Sequence, residues 1–372
     1  MSMRTVSKST LIVPYLEDFP RTWHQKLSKF LLLLLFAIGV CLLMSCQSND
    51  QIEIDMTTSK PEPPIKSVSL TRDGHVFVLD KSGNLQRLAN SVSSVQIATP
   101  VRDLDAVSFV SKDIGWVLAR SGQLFSTNNG GSDWSLLQQL NVRFESSIAG
   151  QFEFVDTGYG WLNERFGVVK TIDGGVSWRE TFRSTTYSTD EVVAQPTFTF
   201  PIDGSVAWVG LTGGGILKLN GPVVSYSDLE LEHDDVSALF ALDNRFCWAG
   251  TRNANGLYFT ADGGDSWKEV LGEKNRDRFG ISAVYFHDTE HGWVAGTKLE
   301  TDARERVKVH ALLMKTNDGG RNWQRIDGLF DADESPTIIR FFNKQKGWLV
   351  TNRSIFQSDD GGLSWVRILE KD

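Results

Sequence analysis

The chain has 372 residues, with 38 Lys and Arg against 46 Asp and Glu, three Cys, 33 Gly and 12 Trp. At roughly 100–200 residues per domain this is room for two domains or one large one, and 41% apolar content excludes wholesale disorder. Three Cys exclude a disulfide-stapled scaffold and a multi-Cys zinc module. Five cations against two acids leave residues 1–45 at +3, so the remainder carries −11, the wrong sign for a general nucleic-acid binder.

Residues 1–45 read as a secretory signal. A basic segment ending RTWHQKLSK precedes the uncharged run FLLLLLFAIGVCLLMSC, shorter than the ~20 apolar residues of a comfortable membrane span. The run ends Leu43-Met44-Ser45-Cys46, which resembles a bacterial lipobox and marks Cys46 for lipidation as the mature N-terminus. Acyl chains at ~0.8 kcal/mol per buried methylene would anchor the body to a membrane of the cell envelope, facing the periplasm or exterior. Gln47 follows instead of the Asp that would retain the chain at an inner membrane. Residues 46–66 are polar and contain Pro61-Glu62-Pro63-Pro64, a semi-rigid linker.

Beyond the linker the tryptophans reveal repeats. One series follows a small residue: Gly115-Trp116, Gly160-Trp161, Ala207-Trp208, Cys247-Trp248, Gly292-Trp293 and Gly347-Trp348, at spacings of 45, 47, 40, 45 and 55 residues. A second closes a turn motif: TNNGGSDW, TIDGGVSW, TADGGDSW, TNDGGRNW and SDDGGLSW. HVFVLDKSGNL adds an earlier unit with Phe77 in place of the Trp. Seven units of about 40–50 residues predict an all-β fold: a single seven-bladed β-propeller of four-stranded blades over 67–372. In the second unit the strands are expected at 106–110, 116–119, 123–127 and 134–138, between Gly/Asn/Asp turns.

The turn motif is the Asp-box, or bacterial neuraminidase repeat. Its Asn129, Asp173, Asp262, Asp318 and Asp360 accept backbone N–H bonds and tighten a turn, which makes them structural rather than catalytic. Paired glycines supply positive φ, and the Trp packs beneath. The first and fourth units lack the motif; in the fourth, GGGILKL stands near its expected place.

Asp-boxes also occur in sialidases, but the Arg-Ile-Pro hallmark and a Tyr–Glu constellation are absent, as are G-x-S-x-G, a P-loop and HExxH. His287 and His291 fall in a turn, the loop 331–334 reads as solvated acid, and Cys247 as a buried thiol. No catalytic residue, metal, cofactor or small-molecule substrate is expected.

One feature is not scaffold. Four or five residues beyond the first Trp series, at the following hairpin, stand Lys81, Arg120, Arg165, Thr212, Arg252, Lys298 and Arg353, and Arg304 and Arg306 extend the sixth. Six of seven positions are cationic in an acidic chain. Equivalent hairpins of a propeller emerge on one face, opposite the next turn along, so a broken cationic ring is expected opposite the Asp-boxes. It suits a protein partner with an acidic or membrane-proximal surface.

The repeated GW…S/T-x-D-G-G-x-x-W cadence, seven units, lipoprotein-like leader and basic hairpins resemble the photosystem II stability/assembly factor propellers of cyanobacteria and chloroplasts and their relatives in other bacteria. That resemblance implies a non-enzymatic assembly factor that binds a newly made reaction-centre polypeptide through an arginine-rich face, placed here at Arg120, Arg165, Arg252 and Arg353. The alternatives are a sialidase-like glycan-binding or glycan-hydrolysing propeller, and a scaffold subunit of an envelope complex.

Overall fold

A computed structural model describes residues 9–11, 65–88, 94–140, 152–164, 167–183, 197–199, 206–220, 223–231, 234–253, 256–272, 278–301, 307–331 and 334–370. Seven antiparallel four-stranded sheets follow one another in chain order as the blades of a β-propeller. The second blade comprises Leu104–Phe109, Gly115–Ala119, Gln123–Thr127 and Ser135–Gln139, within two residues of the expected strands. The first blade opens with Ile65–Leu70 and the seventh closes with Val366–Glu370. In the fourth blade a fifth strand, Ser9–Leu11, lies antiparallel on Val223–Asp228. The expected linker 46–66 ends two residues early, because Ile65 and Lys66 already belong to the first strand; Cys46 and the rest of the linker lie outside the described residues.

Burial within each blade follows from its position between two neighbours. Second strands such as Gly115–Ala119, Cys247–Thr251 and Gly347–Thr351 are buried throughout, because both faces are covered by adjacent blades. That is why they read as uninterrupted apolar runs rather than alternating ones. Outer strands such as Lys268–Leu271 keep exposed polar positions.

The blade interfaces are built from rings. Trp116 stacks on Phe154 of the next blade at 3.7 Å, Trp248 on Phe286 at 3.9 Å and Trp293 on Phe341 at 3.8 Å. Phe77 takes the same role against Phe109 at 3.6 Å, as its alignment with Trp116 predicts. Each of these Phe residues then meets the Asp-box Trp of its own blade edge-on: Trp134, Trp178, Trp323 and Trp365. Three aromatic rings therefore share each such interface, in the stacked and edge-on geometries their quadrupoles favour.

The Gly before the Trp is required by this stack. Gly115 pairs across the strands with Phe109, and a Cβ on it would stand 2.3 Å from that ring; Gly292 meets Phe286 at the same 2.3 Å and Gly347 meets Phe341 at 2.4 Å. The fifth blade explains its exception. Cys247 replaces Gly where Ala241, not Phe, lies opposite, so space freed by the missing ring accepts the thiol.

Polar side chains join the innermost strands. Ser69 and Ser108 each accept an N–H bond from the following blade, at Phe109 (2.7 Å) and Phe154 (2.8 Å), while Ser237, Ser282 and Tyr285 donate to Ile281, Pro336 and Phe341 carbonyls at 2.6 Å. Arg340 closes the ring: Nη1 donates to the Leu70 carbonyl of the first blade (3.1 Å) and Nη2 to Glu153 of the third (3.2 Å). Residues from the first and seventh blades also share one core, including Leu70, Val78, Trp348 and Val350.

One expectation about the fourth blade is corrected. Residues 213–219 are not at the Asp-box place: Thr212–Gly214 forms the second hairpin and Gly215–Asn220 the third strand. The third-to-fourth turn lies at 221–222, outside the described residues.

Candidate partner-binding face

The two ends of each blade are distinguished by hydrogen bonds between turns. At one end the Asp-box turn sits against the turn joining the first and second strands. The first box glycine donates its N–H to that turn at Asp113 (2.8 Å), Gly158 (2.9 Å), Arg245 (2.9 Å), Glu290 (2.9 Å) and Gln345 (2.7 Å). At the other end the second hairpin meets the segment leading into the innermost strand, with Arg120 N–H on Asp103 (2.8 Å), Arg252 N–H on Asp235 (3.0 Å) and Asn352 N–H on Ser335 (3.0 Å).

The Asp-box end is chemically occupied. In the third blade Thr171 Oγ1 donates to Asp173 Oδ1 (2.8 Å) and accepts from Gly175 N–H, while Ser177 donates its N–H and hydroxyl to the same carboxylate at 2.8 and 2.5 Å. The arrangement recurs at Asp262, Asp318 and Asp360, and with an amide at Asn129. Both glycines of all five boxes have positive φ. Hydrogen bonds from the Ser177 hydroxyl and N–H and from Thr171 lower the Asp173 pKa to about 2. Burial raises that of Asp360, but the Ser364 hydroxyl and N–H outweigh it and hold it at about 2. Such carboxylates are poor proton donors and have their lone pairs committed to the turn.

The other end holds the expected hairpin cations that are described, while the Asp-box end carries cations of its own in the turns joining first and second strands, at Arg72, Lys112, Arg245, Lys344 and Lys346. Lys81 lies between Val76–Asp80 and Leu85–Leu88, Arg120 between Gly115–Ala119 and Gln123–Thr127, Arg252 just after Cys247–Thr251, and Arg353 between Gly347–Thr351 and Ser354–Ser358. All four occupy the second hairpin. Arg165, Arg304 and Arg306 lie outside the described residues. Lys298 departs from expectation: the second strand of the sixth blade runs on over Gly292–Thr301, and Lys298 sits inside it, paired with Phe279 and His310. Both strands of that pair are ten residues long, Gly292–Thr301 and Val307–Thr316, so Lys298 stands three residues before the strand end.

Acids that the cationic pattern did not reveal stand beside these cations. Asp105, only 4% exposed, takes Lys66 Nζ at 2.5 Å and Arg120 Nη2 at 3.4 Å. Asp235 Oδ2 lies 3.7 Å from Arg252 Nε, and its Oδ1 accepts the Gly213 N–H of the fourth-blade hairpin at 3.1 Å. Buried Asp234 accepts the N–H of Asn253 at 2.8 Å. In the seventh blade the loop 331–334 is not simply solvated acid. Glu334 is buried, accepts Thr351 Oγ1 at 3.0 Å, and shares Arg367 with Asp331 at 3.1 and 2.8 Å. The signal was present as acids immediately before innermost strands, in DLDA, DDV and DADES.

The remaining candidates are structural. Asp288 accepts His291 Nδ1 at 2.9 Å and the N–H groups of Glu290 and His291, so this histidine braces a turn. Among the described residues no three His, Cys, Asp or Glu converge as metal ligands. Burial pushes the Cys247 thiol well above its ordinary pKa, which makes it a poor nucleophile.

Residues 225–371 match the family described as Photosynthesis system II assembly factor YCF48. The chain resembles the photosystem II assembly factor propellers. Photosystem II assembly lipoprotein Ycf48 of Synechococcus sp. (strain CC9902) is 31% identical over 167 residues, 43% of this chain and 45% of that protein. Photosystem II stability/assembly factor HCF136 of Arabidopsis thaliana is 20% identical over 274 residues, 68% and 62% of the two chains. The aligned parts thus span about half to three fifths of these relatives. Among solved structures, YCF48 bound to D1 peptide superposes with a TM-score of 0.58 at 14% identity, covering 84% of this chain and 95% of that one. A GH74 xyloglucanase from Xanthomonas campestris gives 0.60 at 13% identity, covering 83% and 55%. At these identities the structures establish the propeller, which assembly factors and glycosidases share.

Proposed function

We propose that this chain is a non-catalytic assembly-factor propeller that docks a protein partner through the second-hairpin face, held at a membrane of the cell envelope by lipid on Cys46. One observation carries the reading: Lys81, Arg120, Arg252 and Arg353, from four blades, share the hairpin class opposite the Asp-boxes. Arg165, Arg304 and Arg306 extend the set in sequence, and Lys298 approaches it from within its strand. A face of this kind attracts acidic segments and orients them by charge-assisted bonds. The likeness to assembly factors supports a photosystem II polypeptide as partner, and the D1 peptide held by the YCF48 structure is the natural probe.

The glycosidase-like neighbour motivates the competing reading. Glycoside hydrolysis takes two carboxylates flanking the scissile bond, one able to carry a proton. The Asp-box acids are bonded into turns, and Asp105, Asp235 and Glu334 each face a cation on their own face. That arrangement supports binding over cleavage.

The double substitution Arg120→Glu and Arg252→Glu tests the proposal. Both side chains are more than half exposed, so stability changes by no more than about 1 kcal/mol per pair. Affinity for a synthetic D1 peptide is expected to collapse, and wild-type binding to weaken with salt. Undiminished capture by the double variant at low salt overturns the proposal.

A further inference from the structure

Asp105 and Asp235 answer two of the hairpin cations from a different part of the fold. Both stand at the start of an innermost strand, not in the hairpin itself. Asp105 is almost wholly buried, yet the Arg120 it meets is 60% exposed, so the ion pair links a buried carboxylate to an exposed guanidinium. Lys66 of the first blade holds the same carboxylate oxygen, Oδ1, at 2.5 Å and also donates to the Leu104 carbonyl at 2.7 Å. Asp105 cannot swing out to follow Arg120; Arg120 must come to it.

The fifth blade repeats the device with other parts. Asp235 is pinned through Oδ1 by the Gly213 N–H of the preceding blade, and its backbone carbonyl takes the Arg252 N–H at 3.0 Å. Its second oxygen faces Arg252 Nε at 3.7 Å. An arginine held through Nε or one Nη keeps other N–H donors free to engage a second carboxylate. A face meant only to project positive field would have no use for acids beneath its cations, since they cancel the field they sit in.

We propose that Asp105 and Asp235 are positioning residues that hold Arg120 and Arg252 pointing outward in the geometry an acidic peptide segment requires. The inference rests on the partner-binding reading of this face. It adds the claim that affinity comes from placed guanidinium groups rather than from net charge. Binding an unplaced Arg costs side-chain ordering at the moment of association; a pre-held Arg has already lost that freedom.

The two accounts predict opposite signs. Asp105→Asn and Asp235→Asn each remove a negative charge from the face, so simple electrostatics predicts tighter binding of a synthetic acidic peptide. Positioning predicts binding weaker by about threefold to tenfold for each, the ordering penalty of one long side chain. Arg120→Lys, which keeps the charge and loses the planar fork, is expected to weaken binding similarly. Titration calorimetry reads all three, with thermal unfolding reporting that each variant is folded. Should Asp105→Asn fail to fold, Asp235→Asn decides, because its carboxylate is partly exposed and its loss leaves the Lys66 contact intact. Equal or tighter binding by a folded Asn variant overturns the inference while leaving the docking face standing. Wild-type binding by Arg120→Glu with Arg252→Glu overturns the face itself, and the inference with it.

Discussion

The pairing of Phe286 with Gly292 allows a quantitative test of how the blades are joined. Phe286 is fully buried, stacked at 3.9 Å on Trp248 of the preceding blade and edge-on to Trp323. A Cβ at Gly292 would stand 2.3 Å from the ring, and Trp248 behind it prevents retreat. Overpacking of this kind costs about 1–3 kcal/mol, and Ala regains about 0.5–1 kcal/mol over Gly in a strand, so Gly292→Ala is expected to lose about 1–2 kcal/mol. Phe286→Ala alone loses about 3–5 kcal/mol as a truncated core aromatic. If the two were independent the double variant would lose about 4–7 kcal/mol, but with the ring gone the methyl no longer clashes. The double variant should lose only about 3–4 kcal/mol, a coupling of about 1–3 kcal/mol, within the range for residues in contact. Ala241 opposite Cys247 in the fifth blade is the natural form of the same exchange. Urea unfolding followed by Trp fluorescence measures the cycle; additivity within about 0.5 kcal/mol would refute the steric account of the Gly-Trp pair.

Three further outcomes are expected. Trp267→Ala, which removes a buried ring in edge contact with Trp208 and a hydrogen bond to Ser227, should cost about 3–5 kcal/mol in the same assay, and a loss below about 1 kcal/mol would contradict its place at the interface. Asp173 and Asp360 have folded pKa values of about 2 against 3.8 for the free carboxyl, so their contribution is complete above pH 4 and is lost as the pH falls through 2. The urea midpoint should therefore drop between pH 4.5 and 2.5, less so in Asp173→Asn with Asp360→Asn; an identical drop in both proteins would show that the boxes do not carry it. For the leader, the intact mass of membrane-extracted protein should correspond to a chain beginning at acylated Cys46, and a membrane-bound, processed Cys46→Ala protein would exclude lipidation there.

The blade count and strand order were legible because each repeat states its own chemistry locally. Asn or Asp two residues after Thr or Ser, two glycines and a Trp make a turn in which the side-chain hydrogen bonds of Asp173 or Asp318 all fall within four residues, so these bonds need nothing from the rest of the chain. The hairpin positions of Lys81, Arg120, Arg252 and Arg353 were likewise readable from register alone. Lys298 was misplaced because strand length is not local: both strands of the pair lengthen together, and their pairing runs on past it to Thr301 and Val307. The acids beside the cations were hidden for a different reason. Asp105 and Arg120 are 15 residues apart, with a whole antiparallel hairpin between them, and Asp235 reaches Gly213 across a blade boundary. Arg340 and Glu153, 187 residues apart, meet only because seven blades close into a ring. What the amino-acid order determined alone was each blade, through contacts between near neighbours; which charges answer one another was decided by the circular stacking of blades, since that alone brings distant strands to one axis and one face.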